Sequence, residues 1–501
     1  YYLENRNGIN YGLPWIRASP SASASTSTII PGLDSTAYYG LASDRNNGRA
    51  AVVTLAHTHR FDANTELKTK LRKGNYARDL RASTIRFARP TDSPGNADAV
   101  DLSNLGSGTV LRRGTPLKIQ GLDVLQVQSD LSTKFDTIGV KHEVLTGVDF
   151  SREEKNVQTG RSVAQGGVNL DKPSTTIGTP SDGASVDEGS RVLRPNNRFV
   201  SHNFGMYAQD LVQMAPHWKV LAGLRWDHMR GSYDNYTLPN DAPGPLTTTS
   251  YKQKISELSK RVGLLYQPSP LASYHFSYGT SFNTSGDTYS YNAQSANTPP
   301  EQSENYEIGA KLDSPNRQFT TRLALFYAVK KNERNLDPDT AASRLLLSGQ
   351  RHSAGFEVDV TGRLTPRWEI YTSYAWMPIA RVDEAAATAS TAGNRVGDRP
   401  GLSPKHSGTA WNTYQITPKW RVGAGVNFRS AQAPADVTAP GWQAPGYATV
   451  DLMGEYAFND HLILKASITN VADKYYAGTL YRGHYVPGAG RLALLTLTAR
   501  F

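Results

Sequence analysis

The ten residues WKVLAGLRWD, from Trp218 to Asp227, carry the pattern that decides the fold. The apolar positions are Trp218, Val220, Ala222, Leu224 and Trp226, and between them stand Lys219, Arg225 and Asp227. Successive side chains of a β-strand point to opposite faces, so this alternation places apolar and polar residues on different sides. The stretch is therefore predicted to be a strand with one apolar face and one wet face.

The same alternation recurs along the chain, as in residues 323–330, 356–361, 450–456 and 462–469. Many strands in series, each with a wet second face, indicate one large antiparallel sheet. The pattern predicts about seventeen strands, with an incomplete one at residues 1–4. The strands for which the pattern predicts first and last residues are 50–60, 65–87, 120–133, 140–155, 199–213, 218–236 and 490–501.

The connections between these strands are alternately short and long. The tight turns fall at 62–65, 214–217, 267–271, 313–316, 364–367, 416–419 and 458–461. The long connections, rich in Gly, Ser, Thr, Pro and Asn, fall at about 88–119, 156–198, 237–250, 286–302, 335–345, 383–403, 432–446 and 474–489. Membrane β-barrels have short turns at one rim and long loops at the other, so the spacing predicts an all-β transmembrane barrel.

Two aromatic signals support a membrane barrel. Three tight turns share a proline followed two residues later by Trp218, Trp368 or Trp420, which then opens a strand. Tryptophan prefers the bilayer interface, which predicts an aromatic girdle at one rim; three tryptophans in the core of a sandwich are the alternative. The chain also ends on an amphipathic strand, residues 493–501, whose last residue is Phe501. Such an ending resembles the C-terminal strand of bacterial outer-membrane proteins.

Composition narrows the class of protein further. The 501 residues are 38% hydrophobic with no cysteine, and no run approaches the roughly 18 to 20 apolar residues of a membrane helix. Disulfides, thiolate zinc sites and cysteine nucleophiles are excluded. The net charge of +10 is dispersed, with no basic run longer than a pair such as Arg112-Arg113 or Lys330-Lys331, which argues against nucleic acid as a partner. Nucleotide-binding, serine-hydrolase and zinc-protease motifs are missing, so neither an enzyme nor a metal site is predicted.

The N-terminus predicts that strands precede residue 1. Bacterial single-chain barrels have an even number of strands, and both termini lie on the periplasmic side. If strand 490–501 runs towards the periplasm, counting back along the alternating strands makes residues 1–4 the end of a strand that runs towards the cell exterior. These four residues are too few to span a membrane. An even number of whole strands is therefore expected upstream.

Several segments resemble the TonB-dependent outer-membrane receptors, specifically their ferric-siderophore branch. They are residues 11–14, 260–268, 277–282, 300–311, 400–407, 470–476 and 488–491, in family order and spread over essentially the whole chain. The closing stretch, residues 483–491, looks most like the catecholate receptors. The resemblance implies a barrel of 22 strands, of which 17 to 18 are visible here, around an N-terminal plug. Residues 1–501 would then be the β-barrel domain, with its first strands, plug and TonB box absent.

The resemblance also implies a function and partners. The protein would bind a ferric siderophore at its extracellular loops, with the catecholate type favoured, and import it with energy from the TonB-ExbB-ExbD complex through the missing N-terminal region. It would be a monomer in the outer membrane of a Gram-negative bacterium, in contact with lipopolysaccharide and lipid. It would have no intrinsic cofactor, iron being carried within the siderophore.

Ferric catecholates are anionic and aromatic, so their site requires Arg or Lys for charge and Tyr or Trp for stacking. The candidate ligand-binding residues in the long connections are Trp15, Tyr39, Arg112, Arg113, Tyr233, Tyr289, Tyr291, Arg334, Arg344, Arg399, Tyr481 and His484. Two other functions stay open. A haem or other metal-chelate receptor would use His484 as an axial ligand, and a passive pore would have 16 to 18 strands around a water-filled channel.

Overall fold

The computed structural model describes residues 1–20, 26–238, 244–284, 299–335, 346–385, 395–434 and 441–500. Eighteen strands form one large sheet. We number these wall strands β1 (Tyr2–Asn7), β2 (Arg45–Arg60), β3 (Thr65–Arg81), β4 (Leu117–Thr137), β5 (Val140–Gly160), β6 (Leu193–Ala215), β7 (Trp218–Thr237), β8 (Thr247–Ser269), β9 (Ala272–Asn283), β10 (Glu301–Asp313), β11 (Phe319–Asn335), β12 (Leu346–Thr365), β13 (Trp368–Glu384), β14 (His406–Gln415), β15 (Trp420–Arg429), β16 (Tyr447–Ala457), β17 (Leu462–Thr469) and β18 (Leu492–Ala499).

Each wall strand pairs antiparallel with the next one along the chain, from β1 with β2 to β17 with β18. The first and last strands of this series, β1 and β18, are exposed at every residue. The eighteen wall strands agree with the prediction of about seventeen, and the predicted antiparallel barrel wall is confirmed. Among the described residues, no separate plug domain accompanies the wall.

Short turns and long connections alternate around the sheet as predicted. The turn between β4 and β5 consists of two residues, Ile138 and Gly139, both with positive φ, a conformation that glycine adopts without strain. The predicted strand 65–87 is wrong in one respect, because the wall strand β3 ends at Arg81. The chain leaves the wall there because Ala82 and Ser83 are buried among the long connections.

The long connections contain short elements of their own. Two three-stranded sheets and one two-stranded sheet are formed by Thr84–Phe87, Val110–Gly114 and Thr175–Thr176, by Leu13–Pro14, Ala477–Leu480 and His484–Pro487, and by Ile16–Arg17 and Ser27–Thr28. The two described helices are the 3-10 turns Val163–Gln165 and Glu188–Ser190. None of the described helices is long and apolar enough to cross a membrane.

Strand pairing assigns the two faces of the wall. One directly paired row across β2 to β6 consists of exposed apolar residues: Leu55, Leu71, Val127, Phe150 and Phe204. The row beside it, one residue along each strand, consists of polar or small residues: Ala56, Lys70, Gln128, Asp149 and Gly205. Because a single-residue step crosses to the other face, the first row faces lipid and the second lines the lumen.

Aromatic side chains mark both margins of the apolar face. At the short-turn rim, Trp218, Trp368 and Trp420 open their strands and are 40, 40 and 48% exposed. Two of them stack on outward tyrosines, Trp218 on Tyr266 at 4.4 Å and Trp420 on Tyr456 at 4.7 Å. A second row toward the other rim contains Tyr278, Tyr306 and Tyr327, with ring centroids 4.8 and 6.2 Å apart. The predicted girdle position of the three tryptophans is confirmed.

Candidate ligand-binding vestibule

The long connections pack together at one rim and have a hydrophobic core of their own. We call the described parts of residues 8–44, 82–116, 161–192, 430–446 and 470–491 the rim layer. Its buried core comprises Leu13, Trp15, Ile16, Ile29, Ile30, Tyr39, Ile85, Leu111, Ala444, Ala477, Leu480 and Tyr485. A barrel wall has no interior of its own, because one face contacts lipid and the other lines the lumen. The main buried apolar cluster among the described residues therefore lies in the long connections.

Trp15 and Tyr485 lie at the centre of this core. The Trp15 indole N–H donates to the Tyr481 carbonyl at 2.9 Å, and its ring lies 5.3 Å from that of Tyr485. The Tyr485 hydroxyl accepts from the backbone N–H of Ile30 at 2.9 Å and lies 3.0 Å from the Tyr475 hydroxyl. Burial raises the pKa of Tyr485 and raises that of Tyr475 to about 12. These phenols are therefore protonated and are poor ligands for ferric iron.

His484 is buried in a stack of three rings. Its imidazole lies between Tyr11, at 5.5 Å and an interplanar angle of 18°, and Tyr481, at 4.6 Å and 21°. The short strand His484–Pro487 pairs with Leu13–Pro14, which holds this stack in place. Axial coordination of haem by His484 would require the stack to open.

The adjacent arginines Arg112 and Arg113 have opposite environments. Arg113 has no exposed side-chain surface; its guanidinium donates to the carbonyls of Tyr39 and Pro173 at 2.7 and 2.8 Å and pairs with Asp182 at 2.8 Å. Arg112 is 46% exposed and faces Asp92 at 3.5 Å. Arg113 thus joins three segments of the rim layer, whereas Arg112 is accessible from outside.

The 161–192 connection is anchored to the rest of the rim layer by buried charges. Lys172 donates to the carbonyl of Ala82 at 2.6 Å and lies 3.5 Å from the carboxylate of Asp44. Glu188 pairs with Arg191 at 2.7 Å and with Arg81 at 3.6 Å, and its side chain is 3% exposed. Burial alone would raise the pKa of Glu188, but hydrogen bonds from Arg191 and nearby cations outweigh it, so its pKa is lowered.

These carboxylates predict that acid releases the 161–192 connection. A carboxyl whose folded-state pKa is lowered contributes stability above its unfolded value, and this stability is lost as the pH falls through the folded value. Backbone protection of residues 172–188, measured by hydrogen exchange corrected for intrinsic rates, should be constant from pH 8 to 5. The protection should fall progressively as the pH decreases below 4.5, the ordinary pKa of glutamate.

The variant Glu188→Gln tests this prediction, and Asp171→Asn is its matched control. Asp171 lies in the same connection but is exposed. Glu188→Gln should weaken protection at neutral pH and flatten its dependence on acid, while Asp171→Asn should leave both unchanged. Release already complete at pH 6 would contradict the assignment, because that pH lies above the range in which Glu188, with its lowered pKa, takes up a proton.

The lumen face carries a second set of residues below the long-connection rim. Tyr76, Leu122, Lys155, Phe199, Tyr233 and Tyr251 are directly paired across β3 to β8. We call them the lumen row. Phe199 and Tyr233 are buried, at 3 and 4% exposure, and Tyr251 packs against them. Lys155 is the direct partner of Phe199, and its charge is close enough to those of Lys118 and Arg78 to be repelled by them. Three cations thus lie at the end of the row where the aromatic residues Phe199, Tyr233 and Tyr251 begin.

The remaining sequence-predicted residues are dispersed. Trp15, Tyr39, Arg113, Tyr481 and His484 meet in the rim layer, whereas Tyr233 lies in the lumen row. Arg399 donates to the carbonyls of Met377 and Ser403 at 2.7 and 2.8 Å in the link between β13 and β14. Arg334 is in β11, where only its backbone is described, and Tyr289, Tyr291 and Arg344 lie outside the described residues. Their roles in binding stay predictions.

Sequence reasoning missed Lys155, Phe199 and Tyr251 because it searched the long connections for ligand contacts. The alternation could have found them, since these residues occupy the lumen side of β5, β6 and β8. Within the described ranges, no group of three or more His, Cys, Asp and Glu residues could hold a metal ion.

Over residues 1–471 the sequence matches the family described as TonB dependent receptor-like, beta-barrel. The barrel wall, with long connections packed at one rim, has the architecture of an outer-membrane receptor. The chain belongs to the TonB-dependent receptor family, and the expected resemblance is confirmed. Its place is the outer membrane of a Gram-negative bacterium, so the long-connection rim is extracellular.

Relatives and solved structures agree with this assignment. The chain is 27% identical, over 99% of its length, to the probable TonB-dependent receptor BfrD of Bordetella pertussis. It is 24% identical, over 98% of its length, to the catecholate siderophore receptor Fiu of Escherichia coli O157:H7. The crystal structure of the siderophore receptor PiuA from Acinetobacter baumannii superimposes with a TM-score of 0.83 at 20% identity, covering 100% of this chain and 71% of that one.

The chain spans 66% of the length of BfrD and 65% of that of Fiu. Its relatives are transport receptors, which points to a role other than catalysis.

Proposed function

We propose that the protein captures a ferric siderophore of the catecholate type in the extracellular vestibule and imports it with energy from the TonB-ExbB-ExbD complex. The observation that carries this proposal is the lumen row, in which Lys155 is followed by Phe199, Tyr233 and Tyr251. The charges of Arg78 and Lys118 act on Lys155 at the same place. Residues 1–501 would act as its β-barrel domain, and the receptor would be a monomer.

The chemistry of the lumen row matches that of an anionic aromatic chelate. Lys and Arg stabilise the negative charge of a ferric catecholate, and tyrosine rings offer stacking surface and phenolic hydrogen bonds. Neighbouring strands are about 4.8 Å apart, so the four residues from Lys155 to Tyr251 span about 14 Å, the scale of one small chelate. Lys155 and Tyr251 are half-buried and would meet the ligand first.

Energy for import has to come from outside the barrel. The sequence has no nucleotide-binding motif, and an outer membrane with open porins holds no ion gradient. A partner that draws energy from elsewhere and acts across the periplasm fulfils this need. Family membership supports coupling to TonB.

Binding of ferric tris(2,3-dihydroxybenzoate) to the purified full-length receptor, followed by quenching of tryptophan fluorescence, tests the capture step. Lys155→Gln should lower the affinity about tenfold, because a hydrogen bond to a charged group contributes about 1.5 to 3 kcal/mol. Tyr251→Leu should lower it by a similar factor through lost stacking.

The matched control for charge is Lys134→Gln on the lumen face of β4, near the short turn, where the lysine is 65% exposed. It should bind like the unaltered receptor. Absence of quenching at micromolar complex, or equal affinities for Lys155→Gln and Lys134→Gln, would refute the proposed site. A Soret shift on titration with haem, lost in His484→Ala, would instead establish the haem receptor.

A further inference from the structure

The lumen face of the wall carries another charged cluster, close to the short-turn rim. Glu369 and Arg421 each follow an outward tryptophan, Trp368 or Trp420, by one residue, so both side chains face the lumen. Arg363 is the direct partner of Glu369 across β12 and β13 and shares this face. Because these strands are joined by short turns here and the long-connection rim is extracellular, the cluster lies at the periplasmic end of the lumen.

Two aromatic residues lie beside these charges on the same face. Tyr371 and Trp411 are direct partners across β13 and β14, and Tyr371 is 46% exposed. The Trp411 indole lies against Gly423 and Gly425 of β15, where an added Cβ would come within 2.9 and 2.2 Å of the ring. Only glycine allows a ring to approach a strand this closely. The two glycines therefore let the indole lie along the wall, with the exposed phenol of Tyr371 beside it.

The charged and aromatic side chains line one cavity of about 450 Å³. We call it the periplasmic pocket, lined by Arg317, Arg363, Glu369, Tyr371, Trp411 and Arg421. Its volume falls in the range of small-molecule sites, about 300 to 1,000 Å³. Arg363 pairs with one carboxylate oxygen of Glu369 at 2.9 Å, and Arg421 pairs with the other. Three arginines against one carboxylate leave the pocket with a surplus of two positive charges.

A further carboxylate on this face does not cancel the surplus. Glu455 is the direct partner of Arg421 across β15 and β16, but it is also the direct partner of Lys465 across β16 and β17. Its charge is thus matched by a lysine outside the pocket. The periplasmic pocket therefore offers positive charge and aromatic surface, as the lumen row does nearer the other rim.

We propose that the periplasmic pocket is a second binding site for the anionic aromatic chelate, which it holds between release from the lumen row and entry into the periplasm. The inference rests on the proposed function for the identity of its ligand. Arginine binds anionic oxygens through charge-assisted hydrogen bonds, and indole and phenol rings stack on catechol rings. The four strands from β12 to β15 span about 14 Å, the scale of one small chelate.

The pocket is expected to bind the chelate more weakly than the lumen row does. The side chains of Arg363 and Arg421 are 56 and 36% exposed, so water and salt screen their charges. Glu369 also competes with the ligand for both guanidinium groups. Weaker binding at this end of the lumen allows the chelate to leave towards the periplasm.

The test is equilibrium dialysis of ferric tris(2,3-dihydroxybenzoate), labelled with radioactive iron, against the purified full-length receptor in dodecyl maltoside. The variant Arg363→Gln/Arg421→Gln removes two positive charges from the pocket, and Trp411→Leu removes its indole but keeps the charges. The matched control, Lys70→Gln/Lys134→Gln, removes two lysines from the lumen face of β3 and β4, outside the pocket. Far-UV circular dichroism verifies that all three variants keep the β-barrel.

The unaltered receptor should bind the chelate in a tighter and a weaker phase. Both pocket variants should lower the affinity of the weaker phase by about tenfold or more and leave the tighter phase unchanged, while the control leaves both unchanged. Ferric citrate, an anionic chelate without aromatic rings, should not displace the weakly bound chelate at equal concentration.

Three results would overturn the second site: a single binding phase, a weaker phase that the pocket variants affect no more than the control does, or displacement by ferric citrate. Each of them leaves capture at the lumen row standing. If Lys155→Gln leaves the tighter phase unchanged while the pocket variants lower the weaker one, the proposed capture site fails and the periplasmic pocket stands.

Discussion

Replacing Arg113 by alanine is expected to detach the 161–192 connection from the rest of the rim layer. The guanidinium is fully buried and holds the carbonyls of Tyr39 and Pro173 together with Asp182. The substitution removes hydrogen bonds from a charged donor, each of which contributes about 1.5 to 3 kcal/mol, and takes the buried donor away from the two carbonyls. Hydrogen exchange of residues 172–188 should accelerate by at least a hundredfold at pH 7.

The neighbouring Arg112 provides the control for this experiment. Arg112→Ala removes the same side chain from an exposed position, where an ion pair contributes about 1 kcal/mol or less. It should leave exchange of residues 172–188 unchanged, and the β-barrel strands should exchange alike in both variants. If the two variants accelerate exchange equally, Arg113 does not anchor the connection. If Arg113→Ala lowers catecholate binding without accelerating exchange, the arginine contacts ligand directly.

Tyr485→Ala is expected to open the hydrophobic core of the rim layer itself. The side chain is fully buried against Trp15 and hydrogen-bonded to Ile30 and Tyr475. Deleting a buried aromatic side chain costs about 3 to 5 kcal/mol through lost burial and the cavity left behind. Limited proteolysis should then cleave within residues 8–44 and 470–491 at protease concentrations that leave the unaltered receptor intact.

Tyr485→Phe separates the contribution of the ring from that of the hydroxyl. It keeps the packing but leaves the Ile30 N–H buried without its acceptor, at a cost of about 1 to 3 kcal/mol. Cleavage should be intermediate between that of the unaltered receptor and that of Tyr485→Ala. An alanine variant as resistant as the phenylalanine variant would show that the rim layer does not depend on this ring.

The wall of the barrel was predictable because its signals are local. Trp218, Trp368 and Trp420 each follow a short turn and face outward, as their spacing from proline indicated. The end of β3 was misplaced because Thr84–Phe87 also alternates, and only its pairing with Val110–Gly114 separates it from the wall. Alternation identifies extended chain but does not show which sheet the chain joins.

The vestibule was predictable in composition and not in arrangement. Sequence reasoning selected Arg112 and Arg113 together, although one is exposed and the other buried. It selected Tyr233 for its place near a long connection, but its neighbours Phe199 and Tyr251 were found only through strand pairing. A residue in a loop belongs to no periodic pattern that would show which way its side chain points. Its burial is set by contacts with segments far away in the chain, which the local sequence does not reveal.

By itself, the sequence determined the strands, their two faces, the alternation of short and long connections and the family of the protein. Each of these depends on side-chain order within about 20 residues or on matched segments. The tertiary structure decided which connections meet, for example through the bond between Trp15 and Tyr481, 466 residues apart, and that between Ile30 and Tyr485, 455 residues apart. Curling of the sheet brings its first and last connections together, and the burial of their apolar residues selects which pairs touch.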